Sequence, residues 1–156
     1  MEFDERIIIA AIVFHTTIED VIGTMKVLIA DDSPVIVERL VRLLAEIRCI
    51  ERLDQADTVA SASEAVCRIR PDVLILDMQM PGGSGLDVLK VVNQNQISCA
   101  VIVLTNFAYP QYRKRCFQNG AQFFLDKSTE FEKVSEVLHS LDSRRPGGDG
   151  SDKSLC

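Results

Sequence analysis

The sequence predicts an α/β domain, a parallel β-sheet with helices on both of its faces. Three observations predict it. Short apolar runs without polar alternation recur at Val27–Ala30, Val73–Leu76 and Ala100–Leu104, as in strands covered on both sides. The segments between them carry apolar residues at helical spacing. Strands alternating with helices in this way give parallel pairing and right-handed crossovers.

The elements follow in order. Val27–Ala30 ends in Asp31 and Asp32; Ser33 then caps a helix with Pro34 at its first position. Ile36, Leu40, Leu43, Leu44 and Ile47 lie on one face of that helix, and Arg39, Arg42, Glu46 and Arg48 on the other. A weaker strand over Ile50–Gln55 precedes a helix from about Ser61 to Arg70, which Pro71 stops. Val73–Leu76 ends in Asp77. Met80 through Gly85 reads as a loop, and Leu86, Val88, Leu89 and Val92 belong to a third helix. The strand Ala100–Leu104 ends at Thr105. Pro110–Gln118 is a short helix closed by Asn119 and Gly120. A last strand over Gln122–Leu125 ends in Asp126 and Lys127, and a final amphipathic helix runs from about Glu130 to Leu141. The polar stretch from Arg144, with Pro146, Gly147, Gly148 and Gly150, is expected to be a disordered tail over 144–156.

Composition narrows the function classes. The chain has 156 residues, 47% hydrophobic and 26% charged, which suits one globular domain. A net charge of −6 speaks against direct binding to nucleic acid or anionic membranes. Five cysteines show no metal-ligand spacing and read as reduced thiols. The longest apolar run, Ile7–Phe14, is eight residues, far short of the roughly 20 a membrane span needs, and acidic residues precede it. No membrane insertion and a cytoplasmic location are expected.

In such sheets ligands bind beyond the carboxyl ends of the strands. Asp31, Asp32, Asp77, Thr105 and Lys127 all fall at strand ends, so the fold is expected to gather them at one edge. Three carboxylates in one place repel each other unless a cation joins them. A hard divalent ion such as Mg²⁺ suits an all-oxygen set, and no thiolate or imidazole stands nearby to favour zinc or copper. A carboxylate beside such an ion can attack phosphorus and form an acyl phosphate. Lys127 and Thr105 supply the ammonium and hydroxyl that meet the charge on the transferring group.

From Met25 to about Ser143 the chain resembles the receiver domain of bacterial two-component response regulators. The resemblance rests on Asp31-Asp32, Asp77, Thr105 and Lys127 at successive strand ends and on the run Asp77-Met78-Gln79-Met80-Pro81 through Gly85. It implies a five-stranded, flavodoxin-like sheet of order 2-1-3-4-5. It implies Asp77 as phosphoacceptor, with Asp31, Asp32, Asp77 and the Gln79 backbone carbonyl as Mg²⁺ ligands. Lys127 and Thr105 become phosphoryl contacts, and Phe124 takes the place of an aromatic switch residue that turns inward when Thr105 is drawn to the phosphoryl group. A sensor histidine kinase or phosphotransfer protein would be the donor. A downstream protein would read the face formed by the fourth helix, fifth strand and fifth helix.

The sequence departs from the family pattern at three places. Ser128 follows Lys127 where proline is usual, Asn106 follows Thr105 where a very small residue is common, and Phe124 has no hydroxyl. Residues 1–24 stand outside the resemblance as an N-terminal extension. No sequence for a DNA-binding output domain follows Leu141, so the expected output is protein contact, as a single-domain switch, a relay, or the receiver fragment of a longer transcriptional regulator. Two rival readings are a small-molecule phosphatase, which would want an acid where Gln79 stands, and a binding module that works without phosphorylation. His15 and His139 have no phosphoacceptor context. Beyond its own phosphorylation and dephosphorylation, no enzyme activity is expected.

Overall fold

The computed structural model describes residues 24–143. The apolar run at 7–14, the N-terminal extension to residue 23 and the 144–156 tail lie outside the described residues.

Five parallel strands form the main sheet: β1 (Met25–Ala30), β2 (Ile50–Ala56), β3 (Val73–Leu76), β4 (Ala100–Thr105) and β5 (Phe123–Asp126). Their order is β2-β1-β3-β4-β5, as expected. Five helices connect or follow them: α1 (Pro34–Leu44), α2 (Val59–Ile69), α3 (Gly85–Gln94), α4 (Pro110–Gln118) and α5 (Lys133–Asp142).

The period-two geometry of a strand sends alternate side chains to opposite faces, and two apolar cores result. Leu28, Ala30, Leu74, Leu76, Val101, Val103 and Phe124 pack under α2, α3 and α4. Val27, Ile29, Val73, Ile75, Ile102, Leu104 and Leu125 pack under α1 and α5. That double burial is why these strands read as continuous apolar runs. Among the described residues no helix is long and apolar enough to cross a membrane.

Local chemistry sets the helix ends. Ser33 Oγ accepts the Ile36 N–H, and Pro34 opens α1. α2 begins at Val59, two residues earlier than the sequence suggested. Thr58 and Ser61 form a reciprocal capping box there, the Thr58 hydroxyl accepting from Ser61 N–H and the Ser61 hydroxyl from Thr58 N–H. α5 begins later than expected, at Lys133. Before it, the Glu130 carboxylate accepts the Asp126 N–H and the Glu130 N–H donates to the Asp126 carbonyl. This pair winds residues 127–132 into turns instead of helix.

The segment expected to be a loop after Asp77 contains a small antiparallel hairpin, in which Gln79–Met80 pairs with Gly83–Ser84. Gly82, at φ +91°, makes its turn. Gly85 is needed for a different reason. A Cβ there would lie 2.6 Å from the Asp77 carbonyl oxygen, so only glycine lets α3 start this close to the strand end.

Candidate functional site

Strand register builds the site. Ala30 is level with Leu76, and Leu76 with Val103, so the residues just beyond them meet at one edge. Backbone bonds continue past the strands: Asp31 N–H donates to Ala56, Asp77 N–H to Ala30 and Lys127 N–H to Thr105. Asp31, Asp77, Thr105 and Lys127 are the buried polar and charged side chains among the described residues. Asp32 sits beside them, exposed.

The two buried carboxylates are held alike. Asp31 accepts the Ser33 N–H on one oxygen at 2.9 Å and the Lys127 ammonium on the other at 2.6 Å. Asp77 accepts the Gln79 N–H on one oxygen at 3.3 Å and Lys127 on the other at 3.2 Å. Each carboxylate is therefore fixed by its own loop and by a shared cation. Burial pushes the Asp77 carboxyl above its usual range; Lys127 opposes the shift and Asp31 adds to it.

One oxygen each from Asp31, Asp32 and Asp77 lies within 4.8 Å of the others. Three carboxylates against one ammonium leave two negative charges uncompensated. An all-oxygen set with that charge fits a hard divalent cation. Asp31, Asp32 and Asp77 are the residues that would hold such an ion.

Thr105 is fully buried, and its Oγ1 accepts the Phe107 N–H at 3.1 Å. The hydroxyl hydrogen is left to be donated to another acceptor. Asn106 is exposed at the pocket rim. Gln79 commits its N–H to Asp77, and its side chain is exposed in the same pocket. The Lys127–Ser128 peptide is trans. The Asp126 carboxylate accepts both the N–H and the hydroxyl of Ser128, an Asx turn that replaces the proline of the family pattern.

Phe124 lies inside, its ring 6.5 Å from that of Phe117 and 5.6 Å from the Arg113 guanidinium. Its side chain is buried in this structure. Arg113, Lys114 and Arg115 are exposed along α4.

Two features escaped the sequence reading. The Cys116 thiol, buried on α4, contacts the Met78 sulfur at 3.5 Å and so ties α4 to the residue following Asp77. A buried cysteine eleven residues after Thr105 was its only signal. The pocket above the carboxylates also extends to Phe107, just before α4, and to Tyr112 and Arg115 on α4, residues whose spacing alone gave no direction.

The family model described as the response regulator receiver domain matches residues 27–139. The transcriptional regulatory protein BtsR of Salmonella typhi is 35% identical over 127 residues, 81% of this chain and 52% of that protein. The sensory transduction protein LytT of Enterococcus faecalis is 32% identical over 114 residues, 73% of this chain and 46% of that protein. The chain thus spans about half the length of these curated relatives. Among solved structures, the signal receiver domain of a NarL response regulator from Mycobacterium tuberculosis superposes with a TM-score of 0.69. It is 32% identical and is matched over 99% of its length and 78% of this chain.

Proposed function

The chain belongs to the response regulator receiver family, and from that premise we propose a phosphorylation-activated switch whose acceptor is Asp77. The observation that carries this reading is the convergence of Asp31, Asp32, Asp77, Thr105 and Lys127 at one sheet edge, with both buried carboxylates on the same ammonium.

The donor is the phosphorylated imidazole of a sensor histidine kinase or phosphotransfer protein. An Asp77 carboxylate oxygen attacks phosphorus and a P–O bond forms. The P–N bond breaks with its electron pair going to the imidazole nitrogen. Asp31, Asp32, Asp77 and the Gln79 backbone carbonyl would hold the Mg²⁺, which would supply charge neutralisation to the transferring group. Lys127 meets the added negative charge, and the Thr105 hydroxyl donates to a phosphoryl oxygen. Drawing Thr105 toward Asp77 leaves room that holds Phe124 inward, which biases the α4–β5–α5 face toward one state. To shift that equilibrium fully, phosphorylation must favour one state by about 5 kcal/mol.

Output through protein contacts on that face suits a net charge of −6, which gives no basis for direct nucleic-acid contact. The protein acts in the cytoplasm without membrane insertion and catalyses only its own phosphorylation and dephosphorylation. A second reading has the same switch as the input part of a longer regulator, because the curated relatives are about twice the length matched.

Intact mass after incubation with acetyl phosphate tests the proposal, with Mg²⁺ or EDTA, on wild type and Asp77→Asn. The expected result is one phosphoryl adduct that requires both Mg²⁺ and Asp77. An equal adduct on Asp77→Asn, or no adduct together with no Mg²⁺ binding by the wild type, overturns it.

A further inference from the structure

The pocket over the acceptor encloses about 720 Å³, far more than a phosphoryl group fills. Asp77 and Lys127 line it, and so do Phe107, Tyr112 and Arg115. Those three residues line the space that a phosphoryl donor enters on its way to Asp77.

Arg115 is the arginine that lines this pocket, and it is one of the arginines without an ion pair among the described residues, as are Arg48 and Arg70. Arg39 pairs with Glu132, Arg42 with Glu38, Arg52 with Asp54 and Arg68 with Glu64. Arg113 lies over the Phe117 and Phe124 rings. Arg115 has no carboxylate within ion-pair distance among the described residues, and no acidic residue occurs in α4. Its guanidinium is a permanent cation whose fork of donors matches phosphoryl oxygens. The cluster of Asp31, Asp32 and Asp77 carries excess negative charge and repels an approaching anion. A cation on the rim raises the local concentration of such an anion.

We infer that Arg115 is an entry contact that captures the anionic phosphoryl group of the donor before it reaches Asp77. The inference rests on Asp77 being the acceptor. As an entry contact, Arg115 acts on capture and not on the transfer step or on the lifetime of the product.

The test follows adduct formation by intact mass on the full chain, over a range of acetyl phosphate concentrations with saturating Mg²⁺. Arg115→Gln should lower the second-order rate constant about fivefold, the size of a well-placed exposed ion contact. Arg115→Lys should retain part of the rate. Lys114→Gln, an exposed cation outside the pocket lining, should match wild type. Added salt should shrink the Arg115→Gln deficit. After donor removal, the adduct should decay at the wild-type rate. Phosphoimidazole should give the same ratio as acetyl phosphate, since both present the phosphoryl group.

Wild-type labelling by Arg115→Gln overturns the inference. So does an equal loss in Lys114→Gln, which would mean a general field effect, or a deficit confined to acetyl phosphate. Altered decay of the adduct also overturns it, by placing Arg115 on the bound phosphoryl group. A wild type that takes up no phosphoryl group at all strikes instead at the assignment of Asp77.

Discussion

Helices α3 and α4 cover the same face of the sheet and flank the same loop after Asp77, yet they are attached very differently. α3 buries Gly85, Leu86, Val88, Leu89 and Val92, and its first turn is fixed by Asp87 accepting the Ser84 N–H. α4 buries Cys116 alone, and its N-cap, Tyr109, offers no side-chain acceptor to the free N–H groups. Each large apolar side chain fully buried contributes roughly 1.5–3 kcal/mol, and α3 has several where α4 has one small thiol. α3 belongs to the scaffold that fixes the acceptor. Of the two, α4 is the one whose local rearrangement requires less free energy, and it contributes Tyr112 and Arg115 to the pocket and lies against the Phe124 ring.

The comparison can be broken most directly at Leu89, almost wholly buried on α3. Leu89→Ala should lower the free energy of urea unfolding by about 2–5 kcal/mol. A loss below about 1 kcal/mol would mean that α3 is not the firm partner. Cys116→Ser comes next, with an expected loss of about 1–3 kcal/mol because a hydroxyl is buried where a thiol met Met78. Hydrogen exchange should then show α4 amides losing protection while α3 amides keep theirs; equal losses would erase the distinction. The smallest effect belongs to Phe117, 43% exposed on α4. Phe117→Ala should cost about 0.5–1 kcal/mol, the size of its contact with Phe124. A larger loss would show that α4 is held by its outer aromatics and not by Cys116.

The same contrast explains what could be read in the residues themselves. The strands and α3 announced themselves because burial on two faces, or on one broad helical face, leaves a pattern in the hydrophobic residues. The site was readable for a related reason. Asp31, Asp77, Thr105 and Lys127 each follow an apolar strand, and parallel register brings strand ends together. Contacts that depend on side-chain direction left no such trace. The 2.6 Å approach of Lys127 to Asp31, closer than its 3.2 Å approach to Asp77, depends on how β5 is rotated at the sheet edge. The sulfur contact between Cys116 and Met78 and the stacking of Arg113 over Phe124 join residues on different elements. Where boundaries moved, a single polar residue was responsible: Thr58 drew the start of α2 forward, and Glu130 delayed that of α5.

Lys127 also bears on how the chain is made. It enters on β5, the last strand in sequence and an outer strand of the sheet, whereas Asp31 and Asp77 enter on the first and third. During synthesis from the N-terminus, the carboxylates are therefore present before the ammonium that joins them. A nascent chain that collapsed early would have to bury two like charges without their shared counterion, which is unfavourable in a low-dielectric interior. Arrival of the final strand completes the hydrogen-bond ladder and neutralises part of that charge in one event. Premature compact forms are penalised, and arrival of β5 becomes the signal for the carboxyl edge to close.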